Sequence, residues 1–185
     1  NRLKIESIRS RDANKHVEFK PYKPSFDWSE VLLPEESKPL DENTDPSILA
    51  YLQSRGSGIY ENWNYYWSSS SYMHLNERVI IPCYHKNKIV GWIARHVKPN
   101  KTDKPKYYVS VQRNYLFNCD QLYTKDRQYA IIVEGPFDAI GIDGIAICGS
   151  QISAGQSEYL NSFKKEYILM PDRDRAGKKM IVQAI

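Results

Sequence analysis

The chain has 185 residues, 41% of them apolar and 26% charged, with a mean hydropathy of -0.61 and a formal net charge of +4. This is ordinary globular composition, long enough for one full domain or two small ones. No stretch approaches the roughly 18 uninterrupted apolar residues of a membrane helix, and residues 1–24 are too basic and polar for a signal peptide.

The three cysteines, Cys83, Cys119 and Cys148, form no CxxC pair, so the pattern argues against a disulfide framework and against a zinc module. A reducing compartment, the cytoplasm, is the expectation. His16, His74, His85 and His96 show no ligand spacing and receive no role. The chain opens on Asn1 rather than Met and stops inside a helical pattern, which reads as a fragment of something longer.

Charge is sorted along the chain. Residues 1–24 carry a net +4, residues 25–75 a net −6, residues 76–129 a net +7 and residues 130–185 a net −1. A basic segment beside one rich in carboxylates suggests a polyanion-binding surface next to an acidic site. Aromatic residues interleave the basic segment (Trp92, Tyr107, Tyr108, Tyr115, Phe117), the combination that holds single-stranded nucleic acid.

In chain order, residues 1–45 read as a linker or extended arm, with Pro21, Pro24, Pro34 and Pro39 among charged residues. Asp45-Pro46 starts a short helix, with Asp45 as N-cap and Pro46 at the first helical position, and Gly56 closes it. The cluster Trp63-Asn64-Tyr65-Tyr66-Trp67 reads as core or domain packing ahead of base stacking, and Ser68–Ser71 as a loop. Val79–Tyr84, a turn at Lys86–Lys88, and Ile89–Ala94 predict a β-hairpin, followed by a strand over Lys106–Val111. From Ala130 on, strands (Ala130–Val133, Ile145–Cys148, Tyr167–Met170) alternate with helices (Phe137–Ile142, Ala154–Phe163, Ala176–Ile185), which implies a parallel sheet covered by helices. The expected fold class is α/β: an α+β subdomain over 46–129, then a parallel α/β unit over 130–185.

The sharpest chemistry is acidic. Ile131-Ile132-Val133 ends in Glu134-Gly135, and Ile168-Leu169-Met170-Pro171 ends in Asp172-Arg173-Asp174. In an open parallel sheet, ligands bind at the carboxyl ends of strands, so both acidic termini reach one crevice. Asp172 and Asp174, two apart in extended backbone, point to one side. Gly135 permits a tight turn beside Glu134, and Gly177 a close approach at the next helix. Carboxylates gathered in one crevice repel one another unless a cation sits there, and hard oxygen donors select Mg²⁺ or Mn²⁺. Such a site suits phosphoryl transfer.

Glu134-Gly135, Asp138 four residues after that Glu, and Asp172-x-Asp174-x-x-Gly177 resemble the Toprim domain of primases, topoisomerases and related nucleases. Upstream, Arg78-Val79-Ile80-Ile81-Pro82, Lys88-Ile89-Val90-Gly91-Trp92-Ile93-Ala94-Arg95 and Lys104-Pro105-Lys106-Tyr107 resemble the basic subdomain of bacterial and phage replicative primases. Tyr51-Leu52-x-x-Arg55-Gly56 is similar to the helix that opens the primase core. The resemblance covers residues 46–185, with a Toprim domain over 130–185 that ends just past its DxD helix, and the wording from Ile131 on is nearest phage-type primases.

The resemblance implies a nucleotidyltransferase that makes short RNA primers on single-stranded DNA. Glu134, Asp172 and Asp174 would hold the catalytic Mg²⁺ or Mn²⁺, with Asp138 as a further or supporting ligand and Glu134 alternatively a general base. Arg78, Arg95, Lys104, Lys106 and Tyr107 would bind template or ribonucleoside triphosphates. Lys98, Lys101 and Arg113 are weaker candidates, and Arg175, Lys178 and Lys179 read as a solvated helix face. A replicative helicase is the expected protein partner. Two alternatives stand beside this reading: a Toprim phosphodiesterase of the nuclease or topoisomerase kind, and a non-catalytic DNA-binding or helicase-tethering module.

Overall fold

The computed structural model describes residues 26–98, 104–174, 177–178 and 181–182. Two sheets make up the fold. The first is antiparallel, in the order β1 (Lys38–Pro39), β2 (Tyr66–Trp67), β3 (Arg78–His85), β4 (Lys88–His96), β5 (Tyr107–Val111). The second is parallel, with β6 (Tyr129–Val133) central between β7 (Ile145–Ala146) and β8 (Glu166–Leu169). The expected α/β architecture, an antiparallel unit followed by a parallel one, is what forms.

The β3–β4 hairpin turns on two residues, Lys86 and Asn87, both at positive φ, the geometry that matches strand twist in a two-residue loop. Past the turn Tyr84 faces Ile89, but Cys83 faces Gly91, so a bulge inserts one extra residue on β4. From there the register runs Ile81↔Ile93, Val79↔Arg95 and Arg78↔His96. Both faces of this hairpin are covered, which explains the nearly unbroken apolar run of β3. One face (Val79, Ile81, Cys83, Ile93) joins the main core, while the other (Ile80, Ala94) packs under Leu75, Trp92 and Tyr108. Pro82 is tolerated inside β3 because β2 pairs with that strand only at Tyr66↔Ile80.

Helix α1 (Pro46–Ser54) starts as expected: the Asp45 side chain accepts from Ser47 N at 2.7 Å, and Pro46 occupies the first turn. Ile48 and Leu52 are fully buried on its inner face. Gly56, at φ 110°, ends this stretch and starts a further short helix, α2 (Ser57–Glu61), which the sequence pattern did not announce. Tyr65 and Trp67 are core residues, in line with the packing reading of the aromatic cluster.

Residues 26–45 hold no helix and include two turns, at Glu35-Glu36 and Glu42-Asn43, but they are no free linker. Trp28 is buried, its Nε1 donates to Arg113 O at 3.1 Å, and its ring meets Tyr115 and Tyr159 edge-on. Gln112 exchanges two hydrogen bonds with the Ser29 backbone, Val31 N donates to Ile89 O, and β1 adds to the first sheet. Proline removes donors and fixes φ without preventing an aromatic anchor from docking. The part of the expected arm before residue 26 lies outside the described residues.

Helices α3 (Pro136–Ile142) and α4 (Ala154–Asn161) make the crossovers of the parallel sheet. Ser153 and Gln156 close α4 with a capping box. One apolar cluster runs from Trp67, Val79 and Ile93 through Tyr115 and Phe117 to Ile132, Phe137 and Ile145, so both sheets share a core. Of the expected helix over 176–185, residues 177–178 and 181–182 are helical and the others lie outside the described residues.

Candidate active site

The acidic residues come together because their strands are neighbours. β6 and β8 pair in parallel, and the pairing runs on past the strands, with Met170 N donating to Ile132 O at 2.9 Å. Glu134 therefore leaves the end of β6 beside the chain leaving β8. The Asp172 backbone N–H donates to Glu134 Oε1 at 3.1 Å, tying the two acidic termini together. Gly135 then turns the chain into α3, where Asp138, in the first turn, faces the same space. A Cβ on Gly135 would stand 2.9 Å from Asp138 Oδ2. Asp174 Oδ1 accepts from Gly177 N at 2.9 Å. At Gly177 a Cβ would collide with the Asp172 carbonyl, so the close approach expected of that glycine is real.

Opposite these carboxylates stands the first sheet. A cleft of about 400 Å³ is lined by Glu134, Asp138 and Asp172 from the parallel unit and by Arg55, Lys106 and Tyr107 from the first, with Ile93 and Val109 also lining it. Arg95 is buried directly behind Tyr107, its guanidinium carbon 4.7 Å from that ring centroid and 5.7 Å from the Tyr51 ring. Its Nε and Nη1 have no hydrogen-bond partner. Arg95 thus backs the aromatic wall and lends it positive potential from beneath, while Lys106 and Arg55 present their charge to the cleft.

Arg55 carries no role in the sequence reading, yet it is a cleft residue. Its guanidinium lies 4.8 Å from the Phe137 ring centroid, and its Nε donates to Tyr51 Oη at 3.2 Å. The signal was present in the Tyr51-x-x-x-Arg55-Gly56 wording, one helical turn that sets Tyr51 and Arg55 on the same face.

Three basic residues expected to bind nucleic acid do not line the cleft: Arg95, buried behind Tyr107, and also Arg78 and Lys104. Arg78 is wholly enclosed: Nη1 donates to Ala94 O at 3.2 Å, Nη2 to Pro105 O at 2.8 Å, and the guanidinium sits 4.1 Å from the Tyr108 ring centroid. Its charge clamps the β5 approach to the hairpin, and the bulge is the reason, since it puts Arg78 and Arg95 on opposite faces. Lys104 is paired with Glu77 at 2.5 Å, an acid that His96 Nε2 also approaches at 3.2 Å, so its charge is committed there. Lys101 lies outside the described residues.

Burial, with the charges of Asp172, Asp174 and Asp138, pushes the Glu134 carboxyl above the ordinary glutamate range, although the Asp172 N–H draws it down. Burial and the Asp172 charge raise Asp138 as well, with Arg55 and Lys106 opposing them. An all-oxygen donor set whose members destabilise one another's charge fits a hard divalent cation. Among the described residues these carboxylates do not close into a set of three with all ligand atoms within 4.8 Å. They flank an open cleft rather than enclose a cage.

A carboxyl raised in the fold weakens stability as pH climbs from its unfolded value through its folded one, and the deficit persists above both. Glu134→Gln removes the titrating charge and keeps an oxygen for the Asp172 N–H. In metal-free buffer this variant is expected to melt above wild type at neutral pH, with the difference narrowing towards pH 4. Melting curves at both pH values check it, and a variant that melts lower at neutral pH would contradict the repulsion.

Residues 131–185 match a family model described as Toprim-like. Over its whole length the chain is 28% identical to a DNA primase of Aquifex aeolicus, spanning 37% of that protein. Among solved structures, the zinc-binding and RNA-polymerase domains of the Aquifex aeolicus primase superpose with a TM-score of 0.63 at 21% identity, over 76% of this chain and 46% of that one. A DnaG catalytic core superposes with a TM-score of 0.61 at 17% identity, over 77% of this chain and 60% of that one. The fold is that of a DNA-primase catalytic core. In this primase-core fold the Toprim-like segment begins on β6, and the facing wall of the cleft is made by Lys106 and Tyr107 at the start of β5 with Arg55 at the end of α1. Among the described residues no helix is long and apolar enough to cross a membrane.

Proposed function

We propose that this chain is the catalytic core of a DNA primase, an RNA polymerase that makes short primers on single-stranded DNA from ribonucleoside triphosphates in the cytoplasm, beside a replicative helicase. One observation carries the reading: a single cleft sets strand-end carboxylates against a basic, aromatic wall. Nucleotidyl transfer needs both, because the acids must concentrate divalent charge while the opposite wall holds a polyanion.

Glu134, Asp138 and Asp172 would hold Mg²⁺ or Mn²⁺, with Asp174 adjoining. Bound there, the metal neutralises phosphate charge and lowers the pKa of an attacking 3′-hydroxyl. Lys106 and Arg55 bind the phosphates that enter the cleft, Lys106 as a flexible point charge and Arg55 as a planar fork. Tyr107 offers a ring face to a base, and Arg95 keeps that ring in place.

The test supplies the full-length protein with single-stranded circular DNA, labelled ribonucleotides and Mg²⁺. Short RNA products that vanish with EDTA are expected. Nicked DNA without RNA would favour a phosphodiesterase instead, and DNA binding without either product would favour a non-catalytic module.

A further inference from the structure

We propose that His85 Nδ1, Cys119 Sγ and Asp120 Oδ1 form a zinc site that staples the β3–β4 hairpin to the segment leading into the parallel sheet. These three ligand atoms lie within 4.8 Å of one another, although His85 and Cys119 are 34 residues apart. The fold brings them together by placing the turn Cys119–Tyr123 under the end of β3.

The spacing suits the ion. Zn²⁺ holds nitrogen and oxygen at about 2.0 Å and sulfur at about 2.3 Å, so tetrahedral angles separate an N,O pair by roughly 3.3 Å and an N,S pair by roughly 3.5 Å. Here Nδ1 stands 3.2 Å from Asp120 Oδ1 and 3.6 Å from Cys119 Sγ. Asp120 Oδ1 is itself buried and, despite that short distance, meets no aligned hydrogen-bond donor. The imidazole makes its polar contacts through Nδ1, because Nε2 is buried without a partner. Thiolate, imidazole and one carboxylate select zinc over the harder ions suited to the acidic cleft.

Surrounding groups fix the ligands. The Lys86 backbone N–H donates to Asp120 Oδ2 at 2.7 Å, leaving Oδ1 turned inward. The Tyr159 hydroxyl reaches Cys119, and the Trp28 ring packs edge-on to His85 at 4.8 Å. Such outer contacts orient metal ligands and set their basicity.

The experiment strips metal from the full-length protein with EDTA, then titrates zinc against a colorimetric chelator. Wild type, Cys119→Ser, Asp120→Ala and Asp172→Asn are compared, with circular dichroism to verify folding. Wild type and Asp172→Asn are expected to hold one tight zinc equivalent more than the other two variants. Restored zinc should raise their Tm by several degrees, with no such rise in Cys119→Ser or Asp120→Ala. Should Cys119→Ser fail to fold, Asp120→Ala decides alone, since Asp120 stands outside the apolar core. Equal zinc content in wild type and Asp120→Ala would overturn the site and leave a hydrogen-bonded cluster. An extra equivalent lost from Asp172→Asn instead would assign the zinc to the cleft and overturn it as well.

Discussion

Asp172→Asn in the full-length protein is expected to abolish ribonucleotide polymerisation while leaving affinity for single-stranded DNA unchanged or slightly raised. The separation follows from the two walls of the cleft. On the proposed reading, cations such as Lys106 and Arg55, which line one side of the cleft, hold the template, whereas the carboxylates opposite serve the metal. Loss of one anionic ligand leaves phosphate charge uncompensated at the reacting centre, a deficit of about 4 kcal/mol, or roughly a thousandfold in rate. The substitution spares the fold, because the contact to Glu134 is made by the backbone N–H of residue 172 rather than by its side chain. Removing a negative charge from beside the template favours DNA binding, if anything. Primer yield and DNA affinity, measured separately, check the expectation. A variant that still makes primers would place the reaction elsewhere.

The second large effect concerns stability. Arg78→Ala should lower the unfolding free energy by about 3 kcal/mol, because it strips two backbone carbonyls of a charged donor and removes the cation stacked on Tyr108. In a domain of this size that is a fall in Tm of roughly 10 °C. Lys106→Ala, on the cleft wall, should melt near wild type yet bind single-stranded DNA more weakly, with a shallower salt dependence. Thermal melts paired with salt-dependent binding check both. An Arg78 variant of unchanged stability and reduced DNA affinity would return that residue to the binding surface.

Arg78 also shows how far the residues could be read without coordinates. The hairpin was legible from two apolar runs and a turn, but face assignment in a strand depends on register to a single residue. Were the bulge beside Cys83 absent, Arg78 would stand opposite Arg95 and share its face. The extra residue turns it away, and a bulge of this kind has no distinct composition. Trp28 tells a related story: a lone aromatic among prolines and charges reads as linker, because its partners Tyr115 and Tyr159 lie some ninety to one hundred and thirty residues away.

The acidic residues were legible for the opposite reason. An apolar strand that breaks into a carboxylate followed by glycine encodes its strand end locally, and parallel pairing of β6 with β8 does the rest. Glu134 and Asp172 meet as the pattern predicts, and Asp138 joins them from the first turn of α3. What local patterning could not convey was the opposite wall. Arg55 arrives from α1 and Lys106 from the edge of the first sheet, and only the shared core brings them to face the carboxylates.

The most direct measurement is where Mn²⁺ sits. Crystals soaked in millimolar Mn²⁺ and measured for anomalous scattering should show at least one peak within coordination distance of Glu134 and Asp172, facing Lys106 and Tyr107, and absent from crystals of Asp172→Asn. A cleft without any such peak in the wild-type crystals, or Mn²⁺ bound only away from these carboxylates, would contradict the assignment of this cleft as a metal-dependent nucleotidyl-transfer site.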